Sequence, residues 1–146
     1  MKVRPATDSD RAALFDLHRA AFHALIEETW GWDEGWQRSN FAAEFARTTT
    51  SVLEADGQIV GYLQVLDEED RIYVQNIAIA AAFQGEGIGT HLLEELKLNA
   101  ARRKVPLQLG VLRTNTSAQR LYERLGFRWT GETSTHIEMS WAANGQ

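Results

Sequence analysis

The sequence predicts an α/β (α+β) fold, a single mixed, mostly antiparallel sheet of about seven strands flanked by about four helices. Three observations predict it. Apolar strand-like runs come in groups joined by tight turns, as antiparallel neighbours do. Stretches with helical spacing separate other strands and supply crossovers. A glycine-spaced loop, QGEGIGT at Gln84–Thr90, stands where a strand hands over to a helix, a usual ligand position in open sheets.

Lys2–Arg4 forms a short first strand. Thr7 or Asp8 then caps a helix whose apolar face is Leu14, Leu17, Ala21 and Leu25, spaced at three and four residues, and the helix fades near Thr29–Gly31. A second helix covers Asp33–Arg47, with Phe41 and Phe45 on one side. Ser51–Ala55 and Gln58–Leu66 read as strands around Asp56–Gly57, a two-residue hairpin signal. The acidic turn Asp67–Asp70 leads into a strand at Arg71–Ile79. Ile88–Arg103 is a helix with Leu92, Leu93 and Leu96 inward, and Pro106–Leu112 is another strand. Asn115–Leu125 is a short helix ended by Gly126, and Phe127–Thr133 pairs with His136–Trp141 as the closing strands. The order is β-α-α-β-β-β-α-β-α-β-β.

With 146 residues, 44% of them hydrophobic and no repeat, the chain reads as one domain over residues 1–146. The absence of cysteine excludes disulfides, thiolate metal sites and a cysteine nucleophile, and fits a reducing compartment. MKVRPATDSDR lacks the apolar run of a signal peptide, and no apolar stretch approaches ~18 residues. A cytoplasmic protein without a membrane partner is expected. A net charge of −5 argues against nucleic acid as a partner. The charge is uneven, with 17 acids and 7 bases in residues 1–96 against 3 acids and 8 bases in residues 97–146. That asymmetry fits one face meeting a polyanion and another meeting a cation, or two ordinarily solvated faces.

Gly85, Gly87 and Gly89 let the backbone turn tightly and let a bulky anion approach it. The first N–H groups of the following helix lack internal partners and carry the positive end of its dipole. A dinucleotide fingerprint would need glycine at Thr90, and a P-loop would need a lysine that the loop lacks. The four histidines, His18, His23, His91 and His136, form no metal motif, and no nucleophile elbow exists, so neither a metal nor a covalent intermediate is expected.

Gln84-x-x-Gly87-x-Gly89 resembles the (Gln or Arg)-x-x-Gly-x-(Gly or Ala) signature of the GNAT superfamily, the Gcn-related N-acetyltransferases. The resemblance runs from RPATDSD through the Asp-Gly hairpin and IYVQNIAIAAAFQGEGIGTHLL to LYERLGF. Its least typical part is Ala80–Ala82, where many relatives have proline. The resemblance implies an acetyl-CoA site. The pantetheine arm would lie along Ile77, Ala78 and Ile79, wedged where two strands splay apart. The pyrophosphate would rest on the backbone of Gln84, Gly85, Glu86, Gly87, Ile88, Gly89 and Thr90. Arg102, Arg103 and Lys104 could favour the 3′-phosphate, or simply complement a helix C-terminus.

Asn115, Ala118, Gln119 and Tyr122 fall at i, i+3, i+4 and i+7 and share a helix face. By themselves, Asn115 reads equally as an N-cap and Tyr122 as a core aromatic. N-x-x-A-x-x-x-Y-x-x-x-G-F is, however, similar to the GNAT helix at the cofactor thiol. By that resemblance Tyr122 donates a proton to the departing thiolate, Asn115 hydrogen-bonds the cofactor, and Ala118 leaves room for it. The expected reaction is direct acetyl transfer to a primary amine in a ternary complex. The alternative is a non-catalytic acyl-CoA-binding or sensing module of the same fold.

The amine must lose a proton, and the developing oxyanion needs a donor such as the N–H of Ile77 or Ala78. EETWGWDEGW brings acids and tryptophans together without a lysine or arginine. Acids beside aromatic faces can hold an ammonium. Glu28, then Glu27, are the base candidates, with Trp30, Trp32 and Asp33 binding the acceptor. The competing reading is that the tryptophans pack the helix corner and the acids are solvated. Gln75 and Asn76 could orient a water but cannot be bases. Edge strands at the C-terminal hairpin could support a homodimer.

Overall fold

A computed structural model describes residues 1–144 of the chain. Among these, β1 (Lys2–Pro5) is followed by α1 (Arg11–Thr29), α2 (Glu34–Arg47), β2 (Thr49–Ala55), β3 (Gln58–Asp67) and β4 (Ile72–Ile79). Then come α3 (Ile88–Arg103), β5 (Leu107–Leu112), α4 (Thr116–Arg124), β6 (Arg128–Glu132) and β7 (His136–Trp141). Every element expected from the sequence is present, most with boundaries moved by a residue or two.

The largest shift is at the start of α1, which a 3-10 turn at Asp8–Asp10 precedes. Asp10 holds that turn. Its carboxylate accepts two bonds from the Arg4 guanidinium, at 2.8 and 3.0 Å, and one from the Thr7 N–H at 2.7 Å. The same contacts keep its pKa far below the ordinary carboxylate range, the Arg4 bond contributing most. Asp33 caps α2 by accepting from the Trp36 N–H at 2.9 Å. Asp56 and Gly57, with φ of 52° and 77°, make the mirror-type turn between β2 and β3.

The strand order is β1-β2-β3-β4-β5-β7-β6, antiparallel throughout except where β4 meets β5. α1 and α2 cover one face, around Leu14, Phe15, Phe41, Val52, Tyr62 and Ala78. α3 and α4 cover the other, around Ile72, Val74, Leu93, Leu107, Leu109 and Tyr122. No described helix is long and apolar enough to cross a membrane.

The seam between β4 and β5 positions the cleft. β4 and β5 pair only at Ile72–Leu107, Tyr73–Gln108 and Val74–Leu109. Past Val74, β4 continues to Ile79 bound to β3 alone, and β5 continues to Leu112 bound to β7 alone. The sheet opens there into a cleft.

Candidate active site

The cleft has a volume of about 860 Å³. Its donor end is built mostly of backbone. Gly85 and Gly87 have φ of 83° and 80°, a conformation that costs an L-residue about 1–2 kcal/mol, so glycine is needed there. A Cβ added at Gly85, Gly87 or Gly89 would meet nothing of the protein within 4 Å, so open space lies in front of the loop. The first bond of the α3 ladder runs from the His91 N–H to the Gly87 carbonyl at 2.9 Å. The N–H groups of Ile88, Gly89 and Thr90 are therefore free donors at the positive end of a 16-residue helix. An anion such as a pyrophosphate fits this donor set.

Gln84 is bound up in the architecture. Its amide donates to the Ile79 carbonyl at 2.9 Å, tying the loop to the end of β4. The backbone of β4 forms the next wall. The Ala80 N–H donates to Val60 on β3 at 2.8 Å, and antiparallel alternation then turns the Ala78 N–H toward β3 as well. The N–H groups of Ile77 and Ile79 face the splayed side. Of the two oxyanion donors expected from the sequence, Ile77 is the one the strand presents, and Ala78 is not.

α4 supplies the opposite wall. Asn115 is an N-cap, its side chain accepting from the Ala118 N–H at 3.3 Å, and it also lines the cleft with Ala118 and Tyr122. The Tyr122 ring is 8% exposed and packs on Phe127 at 5.8 Å between centroids. Its hydroxyl has no hydrogen-bond partner among the described residues and is not sealed off as a buried unsatisfied atom, so it reaches the cleft. Burial pushes its pKa up to about 12, which keeps the phenol protonated at neutral pH.

Arg102, Arg103 and Lys104, offered by the sequence either to a 3′-phosphate or to a helix C-terminus, line no part of the cleft. Arg103 pairs with Asp67 and donates to the Glu68 carbonyl at 2.6 Å. With Arg102 and Lys104 it sits at the C-terminus of α3, roughly 24 Å of helix from the glycine loop. Arg124, on the last turn of α4, is the arginine that lines the cleft.

The acceptor end also corrects the sequence reading. Glu27 and Glu28 are exposed on the last turn of α1 and line no part of the cleft. One Glu27 oxygen accepts from the Trp32 N–H at 2.5 Å, so that carboxylate serves the end of its own helix. The carboxylate inside the cleft is Glu44 of α2, 8% exposed. It accepts from Gln75 Nε2 at 2.8 Å and from Asn76 Nδ2 at 3.1 Å, and Asn76 also donates to Gln64 Oε1 at 2.8 Å. Burial raises the Glu44 pKa above the ordinary carboxylate range, against the lowering effect of these amides and Arg47. Sequence reasoning missed Glu44 because an α2 position between apolar residues reads as a solvated helical acid. The one available signal was the adjacent amide pair Gln75–Asn76 on an otherwise apolar strand. A bulge between Gln64 and Val65 shifts the register so that both amides reach α2.

The tryptophans divide. Trp32 packs the helix corner, with its ring 4.7 Å from His23 and 5.9 Å from His18, and donates to Glu34 Oε1 at 2.9 Å. Trp30 and Trp36 stay 45% and 54% exposed and line the cleft. Behind them His18 is buried between Gln37 Oε1 at 3.0 Å and the Tyr62 hydroxyl at 3.4 Å, with its pKa lowered chiefly by burial.

The chain resembles known proteins over most of its length. It is 32% identical to a spore coat polysaccharide biosynthesis protein of Bacillus subtilis across 86% of this chain, and spans 40% of that protein's length. It is 27% identical to the B. subtilis spermine/spermidine N(1)-acetyltransferase across 90% of each chain. The PaiA N-acetyltransferase of Thermoplasma acidophilum, solved in complex with coenzyme A, superposes with a TM-score of 0.79 at 16% identity, covering 97% of this chain and 98% of that one. The family model of the acetyltransferase (GNAT) domain matches residues 46–129. That span is more than half of the chain and includes the glycine loop and the whole of α4, so the protein belongs to the GNAT acetyltransferase family.

Proposed function

We propose that the chain moves an acetyl group from acetyl-CoA to a cationic primary amine by direct attack, with both substrates bound at once. The observation that carries this reading is a single cleft running from the free N–H groups of α3, past Tyr122, to the buried carboxylate of Glu44. One end suits the pyrophosphate of the donor and the other an ammonium.

In this reading Glu44 attracts the ammonium and takes its proton, and the neutral nitrogen attacks the thioester carbonyl carbon. The oxyanion develops against the Ile77 N–H. As the C–N bond forms and the C–S bond breaks, the Tyr122 hydroxyl gives its proton to the sulfur, which leaves as the thiol, and the second proton of the nitrogen returns to the Tyr122 oxygen, leaving a neutral amide and a neutral phenol. A raised carboxylate pKa suits the base, and a phenol held neutral suits the acid. Gln75 and Asn76 hold both Glu44 oxygens and set the direction of the carboxylate. The similarity to a spermine/spermidine acetyltransferase supports a small aliphatic amine as acceptor.

The test is thiol release from acetyl-CoA with a panel of alkylamines, polyamines and amino acids. Release with at least one aliphatic amine, depressed in Glu44→Gln, is expected. Binding of acetyl-CoA without release by any amine would leave a non-catalytic acyl-CoA module instead.

A further inference from the structure

We propose that Gln64, which lines no part of the cleft, is a positioning residue for Glu44. It holds the Asn76 amide with its N–H groups toward the Glu44 carboxylate, and so favours the ionised, proton-accepting form. The inference rests on the acetyl-transfer reading above and concerns how its base is set.

Gln64 shares a sheet face with Tyr62 on β3, within the apolar layer that α1 and α2 cover. It is 0% exposed, the most deeply buried polar residue described. Burying an amide is unfavourable unless both of its ends are bonded, and an apolar side chain would fill the place without needing partners. Both ends of Gln64 are bonded, and its partners lead to the base.

The hydrogen bonds form a closed circuit that starts and ends on Glu44. The Thr48 hydroxyl donates to the Glu44 backbone carbonyl at 2.7 Å. A hydroxyl has one proton, so the Thr48 oxygen accepts in its 3.5 Å contact with Thr50. Thr50 has then used its own proton and accepts from Gln64 Nε2 at 3.4 Å. The Gln64 carbonyl therefore faces Asn76 and accepts from Nδ2 at 2.8 Å. The second hydrogen of Nδ2 reaches Glu44 Oε1 at 3.1 Å. Turning the Gln64 amide over would set donor against donor at Asn76 and acceptor against acceptor at Thr50. A carboxylate suits the end of this circuit. A proton on Oε1 would face an N–H instead.

The other groups around Glu44 leave this bond in control. Burial favours the protonated carboxyl, and the Asn76 bond is the largest influence opposing it, ahead of Arg47, Gln75 and Asn40. Arg47, three residues further along α2, is exposed, so solvent screens its charge. Tyr62 of β3 is held neutral by burial. His18 of α1, 3.4 Å from the Tyr62 hydroxyl, has its pKa lowered chiefly by burial and adds no charge at neutral pH.

The experiment reads the titration of Glu44 from the carboxyl carbon signal of isotope-labelled glutamate in the free protein, with Glu44→Gln assigning the signal. The acid limb of kcat/KM for thiol release from acetyl-CoA is measured beside it. Gln64→Met keeps an unbranched side chain of similar size and removes both ends of the amide. Thr50→Val puts a methyl in place of the hydroxyl and frees Gln64 to turn, whereas Thr50→Ser keeps the hydroxyl. In Gln64→Met the midpoint and the acid limb should both rise by about one pH unit, a tenfold loss of rate on that limb. The plateau at higher pH and the affinity for acetyl-CoA should stay nearly unchanged. Thr50→Val should move the midpoint the same way by less, and Thr50→Ser should leave it in place. A midpoint unmoved in both Gln64→Met and Thr50→Val, or a rate lowered equally at every pH, would overturn the proposal and leave Gln64 a structural residue. Should Gln64→Met fail to fold, the two Thr50 variants decide alone. A midpoint that moves as expected while Glu44→Gln keeps wild-type turnover would leave the circuit standing and remove Glu44 from the role of base.

Discussion

The two ends of the cleft are made of different materials. At the glycine-loop end the groups open to a ligand are main-chain N–H groups of Ile77, Ile88, Gly89 and Thr90, and the glycines of the loop carry no side chain. At the other end, which the proposed reaction gives to the acceptor, the cleft is lined by side chains, above all Glu44, Trp30 and Trp36. A backbone site depends on loop shape and suits a ligand common to a family. A side-chain site can be rebuilt by single substitutions. The donor is therefore expected to be tolerant of sequence and the acceptor sensitive to it.

The sharpest way to break this comparison is Glu44→Gln. Turnover should fall by about 10²–10⁴-fold, the usual contribution of a positioned base, with acetyl-CoA affinity nearly unchanged. Isothermal titration of acetyl-CoA beside steady-state rates separates the two. A loss confined to donor affinity would mean that the two ends are not distinct. Tyr122→Phe should reduce kcat by about 10²-fold with little change in acetyl-CoA affinity, since a phenol at the thiol acts on departure.

The pH profile sharpens the same division. With the Glu44 pKa raised by burial, the acid limb of kcat/KM should lie above the ordinary carboxylate range. Because that shift favours the protonated form in the folded protein, Glu44 also takes away stability as pH rises through its folded pKa. An acid limb at the unperturbed carboxylate value would remove Glu44 from the role of base. At the donor end, Gly87→Ala should weaken acetyl-CoA binding by about tenfold while kcat at saturation changes little, because a left-handed position strains by about 1–2 kcal/mol. The smallest effect concerns His18. Its pKa is lowered in the folded state, so its stabilising contribution is present above about pH 6.5 and is lost as pH falls through the folded value. Chemical denaturation of His18→Gln and wild type across that range should show a flatter pH dependence in the variant.

How much was legible follows the same line. The fold was nearly all legible, because Asp56–Gly57, Gly126 and the leucine spacing of α3 are local signals that the tertiary structure respects. The donor loop was legible for the same reason: Gly85 and Gly87 announce positive φ, and the helix after them announces free N–H groups. Glu44 was not, because its meaning comes from two amides about thirty residues away, brought to it by a bulge in β3–β4. Glu27 and Glu28 misled because composition cannot distinguish acids exposed on the last turn of a helix from acids that face a cleft. Trp32 and Trp36 are four residues apart in the same motif, and one packs a corner while the other opens to solvent.

The short seam between β4 and β5 has a consequence for motion. Only three residue pairs join the half-sheet β1–β4 to the half-sheet β5–β7–β6. Each half has its own ladders of four or more pairs, so the seam is the natural boundary between two cooperative opening units. A ligand lying in the splay would touch both halves and favour the state in which they are paired. Its binding free energy then adds to the cost of parting them. Amides of Ile72–Val74 and Leu107–Leu109 should therefore exchange slowly when donor is bound and sooner when it is absent, while those inside each half change little. On that outcome the donor would be a strut across the middle of the sheet, and its departure would give the two halves back their independence.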